Sequence, residues 1–210
     1  MFSKLKTFFT HHDKNLRDNR WIFASMLIGA LLSLLAAFVL SVESIELAKN
    51  PDASLSCSVN AVVNCATVAK HPSANLLGFP NSFLGMIAEP VVITVAIAGL
   101  AGVRFPRRFM LTAQVFYTAG FIFAYYLLFM SMFVIQALCP WCLLVTLSTT
   151  FVFFSMTRYN IREDNLYLPK RASTWAKDFI ARDYDKLLLG TIIVAVVAGI
   201  VIKYGSGLFG

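Results

Sequence analysis

The chain has 210 residues, of which 58% are hydrophobic and 14% charged. Soluble domains run at roughly 45–50% apolar and about 25% charged, and a soluble fold of this size could not cover so much apolar surface with polar groups. The composition therefore excludes an ordinary soluble enzyme, a disordered chain and a small secreted disulfide scaffold. It leaves an all-α integral membrane protein. The net charge of +7 would suggest nucleic acid on a soluble protein. Here its placement matters more, and no nucleic-acid partner is expected.

A membrane span needs about 20 mostly apolar residues. The first runs from Trp21 to Val42 with no charge inside, after a cytoplasmic N-tail over residues 1–20. It is longer than the apolar core of a signal peptide, and Ser41–Glu46 is a poor cleavage site, so the span is retained. A long polar loop over 43–80 follows, carrying Cys57, Cys65 and His71. The second span covers Asn81 to Val103 and is interrupted by Glu89-Pro90. A basic turn over 104–108 leads to 49 residues without a charge, Phe109 to Thr157. That is too long for one span. The break falls at Gln136–Pro140, because proline suits the first turn of a helix. The third span is thus Phe109 to Ile135, and the fourth runs from near Cys139 to Thr157. A charged loop over 158–186 holds an amphipathic, interfacial stretch around Trp175 to Tyr184. The fifth span is Leu187 to about Tyr204, within a last segment over 187–210. The expected architecture is a four-helix transmembrane bundle over 21–157 plus a fifth transmembrane helix.

Lys and Arg mark the cytoplasmic side of a multi-pass membrane protein. Fifteen of the eighteen lie in the N-tail, the second loop and the charged loop. The expectation is a plasma-membrane protein with a cytoplasmic N-terminus. The first loop, the short hairpin and the C-terminus then face outward. All four cysteines lie on that outer side, where disulfides form and persist.

Cys139-Pro140-Trp141-Cys142 is a C-x-x-C redox motif at the start of a helix. The helix N-terminus offers free N–H groups and a dipole that favour a thiolate, most of all at Cys139. Cys142 lies one turn deeper, toward a lipid-soluble oxidant. A zinc site is the rival use of such a pair. It fits poorly, because Cys57 and Cys65 are spaced too widely and the fourth span sits in lipid, so no metal is expected. Cys57 and Cys65 are either a staple in an exposed loop or a shuttle disulfide that exchanges with a partner thiol. Two pairs on one membrane face favour the relay.

With these residues in view, the sequence closely resembles the vitamin K epoxide reductase family, its bacterial members above all. The shared features are the loop cysteines, then Gly78-Phe79-Pro80-Asn81-Ser82-Phe83-Leu84-Gly85, then the C-x-x-C pair. They cover roughly Trp21 to Thr157. The resemblance implies a four-helix bundle holding a quinone (menaquinone or ubiquinone) near the C-x-x-C. It implies reoxidation of a DsbA-like or thioredoxin-like extracytoplasmic protein, a separate chain here, in support of disulfide bond formation. It also implies that Cys65 exchanges with Cys139, leaving Cys57 for the partner, and that Asn81 contacts the quinone beside Cys142. An amide there can also stabilise developing charge, or cap the helix. The chain departs from the family with His71 where many members carry serine, and with Thr146 where the animal enzymes carry tyrosine.

Two further groups are candidates for proton transfer. His71 has the right intrinsic acidity, although a solvated loop histidine is the plainer account. Glu89 lies about 12 Å below Asn81 along the helix, where an ionisable group is a functional candidate. Its plainer role is a carboxyl facing the bundle beside Pro90.

The expected function is a membrane thiol:quinone oxidoreductase. A DsbB-type protein carries its C-x-x-C in the first outer loop, the reverse of the order here. A reductant-exporting carrier needs cysteines on the cytoplasmic side. The alternative outside enzymology is a membrane assembly or transport subunit with structural disulfides.

Overall fold

The computed structural model describes residues 14–209 apart from Ala61. The five long helices are α1 (Lys14–Lys49), α3 (Ser82–Leu100), α4 (Arg107–Phe129), α5 (Pro140–Arg162) and α7 (Tyr184–Phe209). Between them lie the short α2 (Cys65–Lys70) and α6 (Lys170–Ala181). All five long helices are long and apolar enough to cross a membrane. No β-strand occurs among the described residues.

Local chemistry sets the helix ends. α3 ends at Leu100, and two residues on the chain turns away at Gly102, whose φ of 91° is a left-handed conformation open to glycine. The Gly102 N–H donates to the Gly99 carbonyl and the Val103 N–H to that of Ala98, satisfying two orphan carbonyls. Pro140 opens α5 at its first position, where the missing N–H costs nothing. α4 ends differently, running into one wide π turn over Met130–Ile135 that closes at Gln136 with φ of 58°. The Ser131 hydroxyl holds that turn by donating to the Ala137 carbonyl at 2.5 Å.

α1 packs along α3 and α5, and α4 packs along α5. Small residues let the helices approach, as is usual in membranes. A Cβ on Gly29 of α1 would lie 2.7 Å from the Val152 side chain of α5, and one on Gly85 of α3 would lie 2.8 Å from Ala37 of α1. The core joins Phe23, Met26 and Ala30 to Val95, Ala96, Met110, Val152 and Met156. Polar contacts stitch the same helices together. Glu89 of α3 accepts from Ser33 of α1 at 2.9 Å and from the Tyr117 hydroxyl of α4 at 3.2 Å.

α7 stands outside this bundle. The Tyr204 hydroxyl donates to the Met132 carbonyl in the π turn at 2.7 Å. At the opposite end Arg158 of α5 grips Asp185 through two bonds of 2.6 and 2.7 Å. That end carries most of the basic residues, and the cysteines sit at the other. α1 runs seven residues past the expected end of its apolar span and so carries Glu43 up to the cysteines. α6 forms where the amphipathic stretch was expected, with Ala176 and Ile180 as its buried face.

Candidate functional site

The site is built by one small backbone bridge. The Asn64 N–H donates to the Leu138 carbonyl at 3.0 Å, and the Leu138 N–H donates to the Val62 carbonyl at 2.7 Å. Val63 and Leu138 thus pair in parallel. Asn60 folds the loop into register by accepting from the Val62 and Val63 N–H groups. Asn64 then caps α2, its side chain accepting from the Thr67 N–H at 3.0 Å. Cys65 and Cys139 each follow a residue bonded in this bridge, so their sulfurs meet.

Cys57 and Cys65 form a disulfide with Cα atoms 5.6 Å apart, while Cys139 and Cys142 are free thiols. The Cys65 and Cys139 sulfurs are 3.4 Å apart. The sequence places the loop pair in water; the structure buries it. Cys57 is 8% exposed, Cys65 1% and Cys139 1%. Leu55, Leu40, Leu47, Val68 and Trp141 pack around them. Burial follows from the bridge, which folds the loop down onto the start of α5.

Cys139 caps α5 with its own sulfur, which accepts the Cys142 N–H at 3.2 Å. The Cys142 side chain hydrogen-bonds to it, and with the Cys142 and Trp141 backbone N–H groups this holds the Cys139 thiol below its ordinary value. Burial and the negative charge of Glu43 oppose the shift without reversing it. The arrangement sets a thiol made more acidic than usual 3.4 Å from a disulfide sulfur, the pairing that thiol–disulfide exchange requires.

Glu43 was not singled out in the sequence, where it lies just past the apolar run. Its carboxylate is 3.5 and 3.7 Å from the Cys57 sulfur and accepts from the Ser56 hydroxyl at 2.7 Å. Glu43, Cys57 and Cys65 hold three potential metal donors within 4.8 Å of one another. With the two sulfurs joined to each other, the trio offers one anionic donor in this redox state.

Asn81 stands at the N-cap position of α3 without capping it. Its Nδ2 donates to the Ser73 carbonyl at 2.6 Å, and its Oδ1 accepts from the Leu76 N–H at 3.3 Å. The amide clamps the 72–81 turn and keeps one N–H and one lone pair free. His71 also serves that turn: its Nδ1 lies 2.8 Å from the Ser73 hydroxyl and accepts the Ser73 N–H. Thr146 is buried and donates to the Cys142 carbonyl at 2.9 Å. Glu89 is 4% exposed and joins three helices through Ser33 and Tyr117. A cavity of about 600 Å³ opens at the basic end among Arg20, Arg104, Arg162 and Glu163, far from the sulfurs.

Two cysteine pairs stacked on a four-helix core are the decisive arrangement. Residues 24–157 match the model of the vitamin K epoxide reductase family. The chain belongs to that family. No curated protein matches the sequence. Membership makes the chain a membrane protein with disulfide oxidoreductase chemistry. Vitamin K epoxide reductase family proteins use quinones and generally pair with a thioredoxin-like protein. The cysteine cluster described here lies inside the matched residues.

Proposed function

We propose that this protein is a thiol:quinone oxidoreductase that generates disulfides outside the cytoplasm. The observation that carries the reading is the 3.4 Å contact between a disulfide sulfur, Cys65, and a free thiol, Cys139. A staple would need no such neighbour. A partner dithiol of the DsbA-like or thioredoxin-like class reduces Cys57–Cys65, entering at Cys57, the more exposed of the two. The Cys65 thiolate then attacks Cys139 of an oxidised Cys139–Cys142 pair, and Cys142 leaves. Cys57 attacks Cys65 in turn and releases Cys139. The loop is again oxidised and the helix pair holds two electrons; the Cys57–Cys65 disulfide beside free Cys139 and Cys142 is compatible with that state.

A quinone, menaquinone or ubiquinone, supplies the two-electron acceptor for that pair when bound. Asn81 suits a place beside it, because one donor of its amide is uncommitted. His71 and Glu89 are proposed proton carriers alongside the bonds by which they hold the 72–81 turn and the bundle. The Lys/Arg distribution supports a cytoplasmic N-terminus with the cysteine end outside.

The test is redox trapping of the purified protein with extracytoplasmic thiol proteins of its own cell. A Cys65→Ala variant should hold a Cys57 mixed disulfide with the partner, and quinone should raise the oxidised fraction of the wild-type helix pair. If no mixed disulfide forms and the pairs ignore quinone, the cysteines are structural bridges.

A further inference from the structure

We propose that Glu43 is the catalytic proton acceptor and donor for Cys57, an inference that rests on the relay above and deepens it. Glu43 is 6% exposed at the upper end of α1. A buried carboxylate set beside the sulfurs of the apolar cysteine cluster forfeits hydration, which is costly unless it has partners. Its side-chain neighbours are the Ser56 hydroxyl and the Cys57 sulfur. None of the salt bridges formed by the described residues includes it. The titratable groups gathered around it are Cys57 from the loop, Cys65 from α2, and Cys139 and Cys142 from α5. On its own helix Glu46 and Lys49 are exposed.

The two ends of the exchange are thus equipped differently. Cys139 leaves or attacks as a thiolate steadied by the start of α5. Cys57 precedes no helix and has a carboxylate instead. In the forward step the Cys57 S–H proton passes to a Glu43 carboxylate oxygen as the sulfur's electron pair attacks Cys65. The Cys57–Cys65 bond forms, the Cys65–Cys139 bond breaks, and Cys139 departs with the bonding pair as a thiolate. In reverse, Cys139 attacks Cys65 and Cys57 takes its proton back from Glu43. One disulfide is exchanged for another, so no outside oxidant is needed. Ser56 fixes the carboxylate by donating to Oε1, leaving Oε2 nearest the sulfur at 3.5 Å.

A Cys142→Ala background isolates this exchange. Its relaxation after a pH jump is followed by acid quenching and mass mapping between pH 6 and 9. With Glu43 the rate should be nearly flat with pH. Glu43→Gln, which keeps the shape and removes the acceptor, should be slowed about 30-fold or more at pH 7, within the usual range for general acid–base catalysis. Its rate should climb about tenfold per pH unit and approach the Glu43 protein near pH 9, as hydroxide does the carboxylate's work. Glu43→Asp should retain the flat profile at reduced rate. A Gln variant that matches Glu43 at all pH values, or is slowed equally at all of them, would overturn the inference, as would a steep profile for Asp. Absence of exchange in the Cys142→Ala background itself would instead sink the relay.

Discussion

The Cys65 and Cys139 sulfurs lie 3.4 Å apart although 74 residues separate them in the chain. The contact is imposed by the Val63–Leu138 bridge rather than by the cysteines themselves. A double variant, Cys57→Ala with Cys142→Ala, keeps the bridge and leaves only these two sulfurs. Mild oxidation should convert it nearly completely to the Cys65–Cys139 disulfide, read by non-reducing peptide mapping. A dominant intermolecular dimer would show that the bridge does not hold the loop on the bundle.

Asn81→Ala separates two jobs of one amide. Its bonds to the Ser73 carbonyl and the Leu76 N–H should be lost, each worth about 0.5–1.5 kcal/mol. Hydrogen exchange at Leu76 should speed up accordingly. If Asn81 also donates to the quinone, quinone reduction should fall about tenfold or more, while exchange with the protein partner stays near normal. Faster exchange at Leu76 with unchanged quinone kinetics would leave Asn81 as a clamp on the turn.

Glu89 tests the structural account of an intramembrane carboxyl. Glu89→Gln can still accept from Ser33 and Tyr117, and should cost under about 1 kcal/mol. Glu89→Ala strands both donors and opens a gap beside Pro90, and should cost about 2–4 kcal/mol. Thermal unfolding in detergent measures both. Equal stability of the two variants, with turnover lost in each, would make Glu89 a proton carrier.

Gly29→Ala probes packing far from the sulfurs. The added methyl meets Val152 at 2.7 Å and the Ser148 carbonyl at 3.3 Å. Overpacking of this kind costs about 1–3 kcal/mol. The melting temperature should drop, with redox trapping of the loop cysteines intact. An unchanged melting temperature would show that α1 and α5 shift apart freely.

The spans were legible because lipid demands long uncharged runs, and Trp21–Val42 and Phe109–Thr157 could be nothing else. The hairpin break was legible because 49 uncharged residues are too many for one span and Pro140 suits the first turn of a helix, whereas α3 carries Pro90 in its interior without a break. The C-x-x-C cap was legible for the same reason. The burial of Cys57 and Cys65 was not, because it depends on a bridge between residues distant in sequence. Glu43 was hidden by the same logic. It reads as the polar end of an apolar helix until the loop folds back and sets Cys57 against it. Asn81 looked like a cap because asparagine often is one, yet its amide reaches back to Ser73 and Leu76, and only the turn between them explains why.

The acidity of Cys139 gives a pH signature. Its thiol is held below the ordinary thiol value, first by the Cys142 side chain and then by the backbone N–H groups of Cys142 and Trp141. Only the thiolate reacts with an alkylating reagent, so labelling rises with pH and levels off above the thiol's pKa. A small, lipid-permeant alkylating agent is needed, because Cys139 is buried. In a Cys57→Ala, Cys65→Ala background, the rate at Cys139 should level off below the range of a free cysteine, about pH 8.5. Cys142→Ala removes the largest lowering interaction. The same profile should then move to higher pH, with labelling at pH 7 several-fold slower. The direction is diagnostic, because removing a neighbour merely to widen access would speed labelling at every pH. If the profile stays in place when Cys142 is replaced, the backbone of α5 alone sets the acidity, and the two thiols of the motif do not share a proton.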